Sequence, residues 1–156
     1  EKGYSYGVGS AFTALTSLNH FMAGGSVRTG VTGPALDEFF KEFRDIRERA
    51  VPKDELENAK RAIVAGFALG LENQASVLRQ ILQLREYGLP DDYWDTYPAK
   101  VMAATAEDVQ RVARKYVPVD NVQLIAVGDA QKIGEVLRKY GTVEEYTAEG
   151  AKAAVQ

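Results

Sequence analysis

At Thr32 the spacing of apolar residues switches from a period of two to one near 3.6, and that switch sets the fold class. Ahead of it, Tyr4, Tyr6, Val8, Ser10 and Phe12 alternate with Ser5, Gly7, Gly9 and Ala11. Such alternation predicts a strand with large residues on one face and small ones on the other. A polar stretch from Thr13 to Asn19 follows, and residues 20–28 form a second extended candidate in which Phe21, Ala23, Gly25 and Val27 share a face. The two predict an antiparallel pair. Gly7, Gly9, Gly24 and Gly25 mark a bulge, a close approach of another backbone, or relief of twist in a curved sheet.

Beyond the switch, Leu36, Phe39, Phe40, Phe43 and Ile46 fall at i, i+3, i+4 spacing while Asp37, Glu38, Lys41, Glu42 and Arg44 take the other face. Thr32 is the expected cap of this helix and Pro34 suits its first turn, where a missing N–H costs nothing. Pro52 restarts the pattern, and Leu56, Ala59, Ile63, Phe67 and Leu71 continue as a second helix with Asp54, Glu55 and Glu57 near its positive end. Gly66 and Gly70 each cost about 1 kcal/mol against Ala in a helix interior, so close packing against that face is expected. A third helix centres on Val77, Leu78, Ile81, Leu82 and Leu84, set off by Asn73 and Gln74 and ended by Gly88 before Leu89 and Pro90. Tyr93, Trp94, Tyr97 and Val101 define a short helix whose aromatics read as core. Thr105 with Asp108 has the pattern of a capping box opening a helix through Val109, Val112, Ala113 and Tyr116.

Residues 121–128 form a near-continuous apolar run, the signature of a buried strand. A last helix through Ile133, Val136, Leu137 and Tyr140 precedes a strand-like stretch over residues 142–146. The order strand, strand, helices, strand, helix, strand predicts an α+β fold, an antiparallel sheet backed by helices. Residues 1–150 are the expected domain and 151–156 a tail or linker. So few strands for so many helices imply that further strands, from sequence ahead of Glu1, complete the sheet. The start at Glu1, without Met, is read the same way.

Composition removes several chemistries. With one histidine, His20, and no cysteine, the chain can write neither a two-histidine zinc motif nor a thiolate site or disulfide. His20 reads as a packed or hydrogen-bonded strand residue. A net charge of −3 and a pI near 5.3 argue against nucleic acid, and no apolar run approaches the roughly 18 residues of a membrane span. Gly7-Val8-Gly9 does not complete a dinucleotide fingerprint, and no phosphate-binding loop is present. The acidic pairs Asp91-Asp92 and Glu144-Glu145 read as solvated surface.

Six segments, in order and spacing, carry a resemblance across nearly the whole chain. They are residues 1–8 (EKGYSYGV), 25–29 (GSVRT), 35–39 (ALDEF), 55–60 (ELENAK), 87–93 (YGLPDDY) and 127–129 (VGD). Together they resemble the carboxy-terminal, non-zinc-binding domain of M16 zinc metallopeptidases of the insulinase, pitrilysin and mitochondrial-processing type. The resemblance implies a processing-peptidase-like module lacking its amino-terminal strands, about a third of the whole. It implies a clamshell in which a homologous partner module, in the same polypeptide or a separate subunit, carries an HxxEH motif, the zinc and the catalytic glutamate. This chain alone is then expected to be inactive, with no cofactor of its own and no catalytic residue acting alone.

In that family an Arg and a Tyr with six residues between them reach the substrate carbonyl or the oxyanion near the zinc, and Tyr6 matches the Tyr. The matching Arg falls two places ahead of Glu1. Tyr6 is thus the substrate-binding candidate, with a core aromatic as the other reading of its position. The implied substrate is unfolded peptide of about 10 or more residues in extended form. A catalytically inactive structural or assembly subunit is the alternative. An unpaired sheet edge is expected to bring about self-association, and relatives exported to the bacterial periplasm or cell envelope point to that compartment.

Overall fold

β1 (Ser5–Thr13) and β2 (His20–Val27) pair as the antiparallel hairpin that the alternation predicts. They belong to a computed structural model that describes residues 2–13 and 19–152, so most of the polar stretch between the strands lies outside the described residues. A 3₁₀ turn (Thr29–Val31) then leads into α1 (Thr32–Glu48), α2 (Lys53–Gly70), α3 (Gln74–Glu86), α4 (Tyr93–Ala103), α5 (Ala106–Tyr116) and α6 (Ala130–Arg138). The fold class is α+β, as expected. No helix among the described residues is long and apolar enough to cross a membrane.

The chain divides into two compact units, and β1, β2 and α1 each contribute to both. The first draws on Glu1–Ala11, Met22–Glu42 and Val119–Gln156. Within it Phe40 stacks on Tyr140 with ring centroids 5.5 Å apart. The Tyr140 hydroxyl donates to Asp37 Oδ1 at 2.7 Å and lies 3.1 Å from the Gly33 carbonyl. Gly33 is small for a reason: a Cβ there would sit 3.1 Å from Val136 Cγ1, so α1 meets α6 closely at this point. Among the described residues of this unit, Ala35, Ile133 and Gly134 are buried.

The second unit draws on Phe12–Phe21 and Phe43–Pro118. Phe12, Phe21 and Phe43 form a chain of ring contacts at 4.9 and 5.6 Å, which seats this end of the hairpin on α1. α2 meets α4 through Phe67, whose ring lies 5.9 Å from Trp94 and 5.2 Å from Tyr97. The Trp94 indole donates to the Gln80 carbonyl at 3.0 Å and so fastens α4 to α3. Arg47 donates to the carbonyls of Val117 at 2.6 Å and Arg114 at 3.2 Å, satisfying acceptors that the end of α5 leaves open. Lys60 is 7% exposed and tolerates burial because its ammonium reaches Glu57 at 3.0 Å.

Helix boundaries follow local chemistry. The capping box at α5 is complete, with Thr105 Oγ1 accepting from the Asp108 N–H at 3.1 Å and Asp108 accepting from the Thr105 N–H at 3.3 Å. The Arg111 guanidinium first, and these Thr105 bonds second, hold the Asp108 carboxyl below its usual range. Asn73 caps α3 by accepting from the Ser76 N–H at 3.1 Å, and Gly88 takes φ +60° just past its end.

Four expectations need correction. Residues 121–128 are extended but form no strand, because no other strand among the described residues lies beside them. Ile125 and Val127 are accordingly 84% and 99% exposed. Among the described residues, 142–146 contribute one antiparallel bridge, Tyr146 to Lys152. Thr32 does not cap α1: the preceding 3₁₀ turn has already placed it in helical geometry, and its hydroxyl donates back to the Thr29 carbonyl at 2.9 Å. Close packing at Gly66 and Gly70 is absent, since a Cβ at either would meet nothing within 4 Å. Past Gly150, Ala151 accepts from the Thr147 N–H at 2.8 Å, and residues 153–156 lie outside the described chain.

Candidate functional site

Tyr6 stands near the start of β1, on the face that alternation assigns to the large residues. Val8 on that face would contact a Cβ built on Gly25 at 2.8 Å, and the Gly7 carbonyl would lie 2.7 Å from it. Gly25 is therefore required for the two backbones to approach here, which settles the glycine question at this position in favour of close approach. At Gly7, Gly9 and Gly24 a Cβ would meet nothing. The Tyr6 side chain is not a core aromatic among the described residues: it is 113% exposed, beyond its reference value.

Several groups fix the strand on either side of Tyr6. The Ser5 hydroxyl donates to the Ser26 carbonyl across the hairpin at 2.7 Å and accepts from the Gly7 N–H at 3.1 Å. Gly3 turns the chain into β1 at φ +64°, a left-handed conformation that suits glycine, and its carbonyl accepts from Arg28 at 3.4 Å. Lys2 pairs with Glu38 of α1, and that hydrogen bond raises the ammonium pKa and lowers the carboxyl's. Nothing in the spacing of Lys2, Ser5 and Glu38 reveals these contacts, which join residues 21 and 36 positions apart. A phenol held on a backbone braced at both neighbours, with its O–H free to solvent, is a hydrogen-bond donor suited to a carbonyl oxygen brought to it.

The other candidates are accounted for. His20 is exposed and shares a hydrogen bond with Thr13 Oγ1 at 3.2 Å across the hairpin. Glu144 accepts from Tyr146 at 2.7 Å and Lys152 at 2.8 Å, which lowers its pKa with the lysine bond first in weight. Asp91 is a surface group 3.9 Å from Arg85. Among the described residues no three His, Cys, Asp or Glu side chains are grouped to hold a metal ion.

No protein-family model matches the sequence, and comparison with curated proteins finds no match. Among solved structures the chain is similar to the crystal structure of a peptidase M16 inactive domain from Pseudomonas fluorescens. The two are 24% identical with a TM-score of 0.69, over 76% of this chain. This chain has the fold of that M16 inactive domain. It spans 28% of the length of the protein it matches. Tyr6 belongs to the β1–β2 hairpin of this fold, and the residues that brace it fall in the first three resembling segments.

Proposed function

We propose that this chain is the non-zinc-binding half of an M16-type zinc peptidase clamshell, enclosing unfolded peptide for hydrolysis at a zinc carried by a partner module. The observation that carries the reading is the fold shared with an M16 inactive domain over three quarters of the chain. In this scheme the partner supplies the metal, which activates water and polarises the scissile carbonyl. This chain supplies a wall of the chamber and Tyr6. As the carbonyl carbon is attacked, charge gathers on its oxygen, and the Tyr6 O–H donates to that oxygen. A donor aimed where charge develops stabilises the transition state more than the bound substrate.

The test combines this chain with a purified module bearing HxxEH and follows cleavage of an unstructured peptide. Cleavage requiring both components is the expected result. Tyr6→Phe, which removes only the O–H, then lowers kcat by about 10²-fold, as loss of one oxyanion donor does, with KM little changed. If no zinc-bearing module acquires or gains activity with this chain, the peptidase reading fails and a structural subunit takes its place. The description of the neighbour as an inactive domain is what favours that second reading.

A further inference from the structure

We propose that Ser5 is a positioning residue for the Tyr6 phenol: its hydroxyl clasps the backbone on both sides of Tyr6 and so fixes where that donor points. The effect on rate rests on the peptidase reading; the clasp itself rests on hairpin geometry alone. The Gly7 N–H donates to Ser5 Oγ at 3.1 Å, and the same hydroxyl donates to the Ser26 carbonyl of β2 at 2.7 Å. That oxygen also lies 2.8 Å from the Gly7 carbonyl. A bond from residue 7 back to residue 5 closes a small ring containing both peptide units of Tyr6. The bond to Ser26 then ties this ring to the facing strand. One hydroxyl serves as acceptor and donor at once, and bonds linked in this way polarise and strengthen each other.

Tyr6 needs such a fixture because of its neighbours. Gly3 turns the chain at φ +64° just before β1, and Gly7 follows Tyr6 directly. Glycine opens backbone conformations that other residues rarely adopt, so freedom is greatest on either side of the candidate donor. The phenol oxygen lies at the far end of the side chain, and a small tilt of the Tyr6 backbone is magnified there. For a group that must meet a developing oxyanion this matters, since a misplacement of about 1 Å can cost about 10²-fold in rate. Ser5 is half-buried and Tyr6 exposed, and alternation along β1 puts their side chains on opposite faces. The Ser5 hydroxyl thus acts from the face away from the phenol, and its bonds run to backbone groups. It acts through Tyr6 and does not touch the reacting atoms.

The experiment uses the whole chain with the HxxEH-bearing module. Ser5→Ala is expected to lower kcat about 10-fold with KM unchanged, a part of the roughly 10²-fold lost in Tyr6→Phe. Ser5→Thr keeps a hydroxyl on a strand position that suits a β-branched residue, and is expected to restore the native rate. In the Tyr6→Phe background Ser5→Ala should cost nothing more, because a clasp that acts through the phenol O–H has nothing left to position. A native kcat in Ser5→Ala while Tyr6→Phe is impaired overturns the clasp and leaves the peptidase reading standing. An equal loss in both backgrounds also overturns it, since the effect then bypasses the phenol. A second measurement needs no zinc module. In amide NMR relaxation of this chain alone, the Tyr6 and Gly7 N–H order parameters are expected near about 0.85 in the native chain and in Ser5→Thr, and below about 0.6 in Ser5→Ala. Those of residues 8–12 should not change. Unchanged values at Tyr6 and Gly7, or loosening along all of β1, overturn the proposal. If no module gives cleavage, the peptidase reading fails separately and the relaxation data alone judge the clasp.

Discussion

Residues 5–13 and residues 121–128 are two uncharged, extended stretches of nearly equal length, and only the first becomes a strand. Their composition favours the second, which is the more continuously apolar. The difference is the partner. β1 has β2 beginning seven positions after its last residue, so bringing the two together costs little chain entropy. The carboxy-terminal run has no neighbour close in sequence, and its extended backbone stays unpaired with Ile125 and Val127 in the open. Strand preference describes a side chain that fits a pleated, half-buried surface, and it creates no sheet where that surface is missing.

The largest expected effect removes the advantage of the first stretch. Gly25→Val puts a side chain where a Cβ already lies 2.7 Å from the Gly7 carbonyl. Overpacking of this kind should cost about 3 kcal/mol in urea denaturation. Gly24→Val, with open space, should change stability by no more than about 0.5 kcal/mol. In the Gly25 variant the amides of β1 should exchange with solvent as fast as those of residues 121–128; protection that survives in β1 would break the comparison.

Next in size is the anchor that holds α6, the helix that follows the unpaired run. Tyr140→Phe loses the bond to Asp37 and should cost about 1.5 kcal/mol. The native hydroxyl also has a pH signature. Desolvation first, and the Asp37 carboxylate second, push its pKa from 10.0 up to about 12. An unfolded tyrosine ionises from about pH 10 while the folded one keeps its proton, so Tyr140's contribution is whole below pH 10 and is lost between 10 and 12. Stability measured across that window should fall more steeply in the native chain than in Tyr140→Phe.

Smaller is Asp129→Ala, which removes the cap on the Gln131 N–H at 3.1 Å and an ion pair with Lys132 at 3.0 Å. A loss of about 1 kcal/mol is expected by thermal melting. Smallest are Ile125→Lys and Val127→Lys, which should each leave the isolated chain within about 0.5 kcal/mol of native because both side chains already face solvent. A loss several times larger at either position would mean the run is packed after all.

What could be read in the sequence follows the range of the interactions involved. α5 was legible to the residue, since Thr105 and Asp108 make its amino end within one turn. The hairpin was legible because alternation and its partner lie close together. The amino end of α1 was not, because the 3₁₀ turn over Thr29–Val31 leaves no mark in a pattern of apolar spacing. Gly66 and Gly70 misled because a helix glycine reports a tolerated cost and does not say what compensates it. For the candidate site, Tyr6 came from resemblance, and its alternation allowed a core position equally well. Its exposure depends on what covers the large face of β1, which no residue near it encodes.

The Tyr140 hydroxyl is separated from the Gly33 carbonyl by 107 residues. During synthesis at roughly 5–20 residues per second, the amino end of α1 therefore leaves the ribosome some 5–20 seconds ahead of the phenol that will anchor it. Over that interval the Tyr140 phenol is absent as a donor to Asp37 and as a ring against Phe40. Chains cut short before residue 140 should thus hold α1 without its tether, and the first unit gains this contact only once Tyr140 is made.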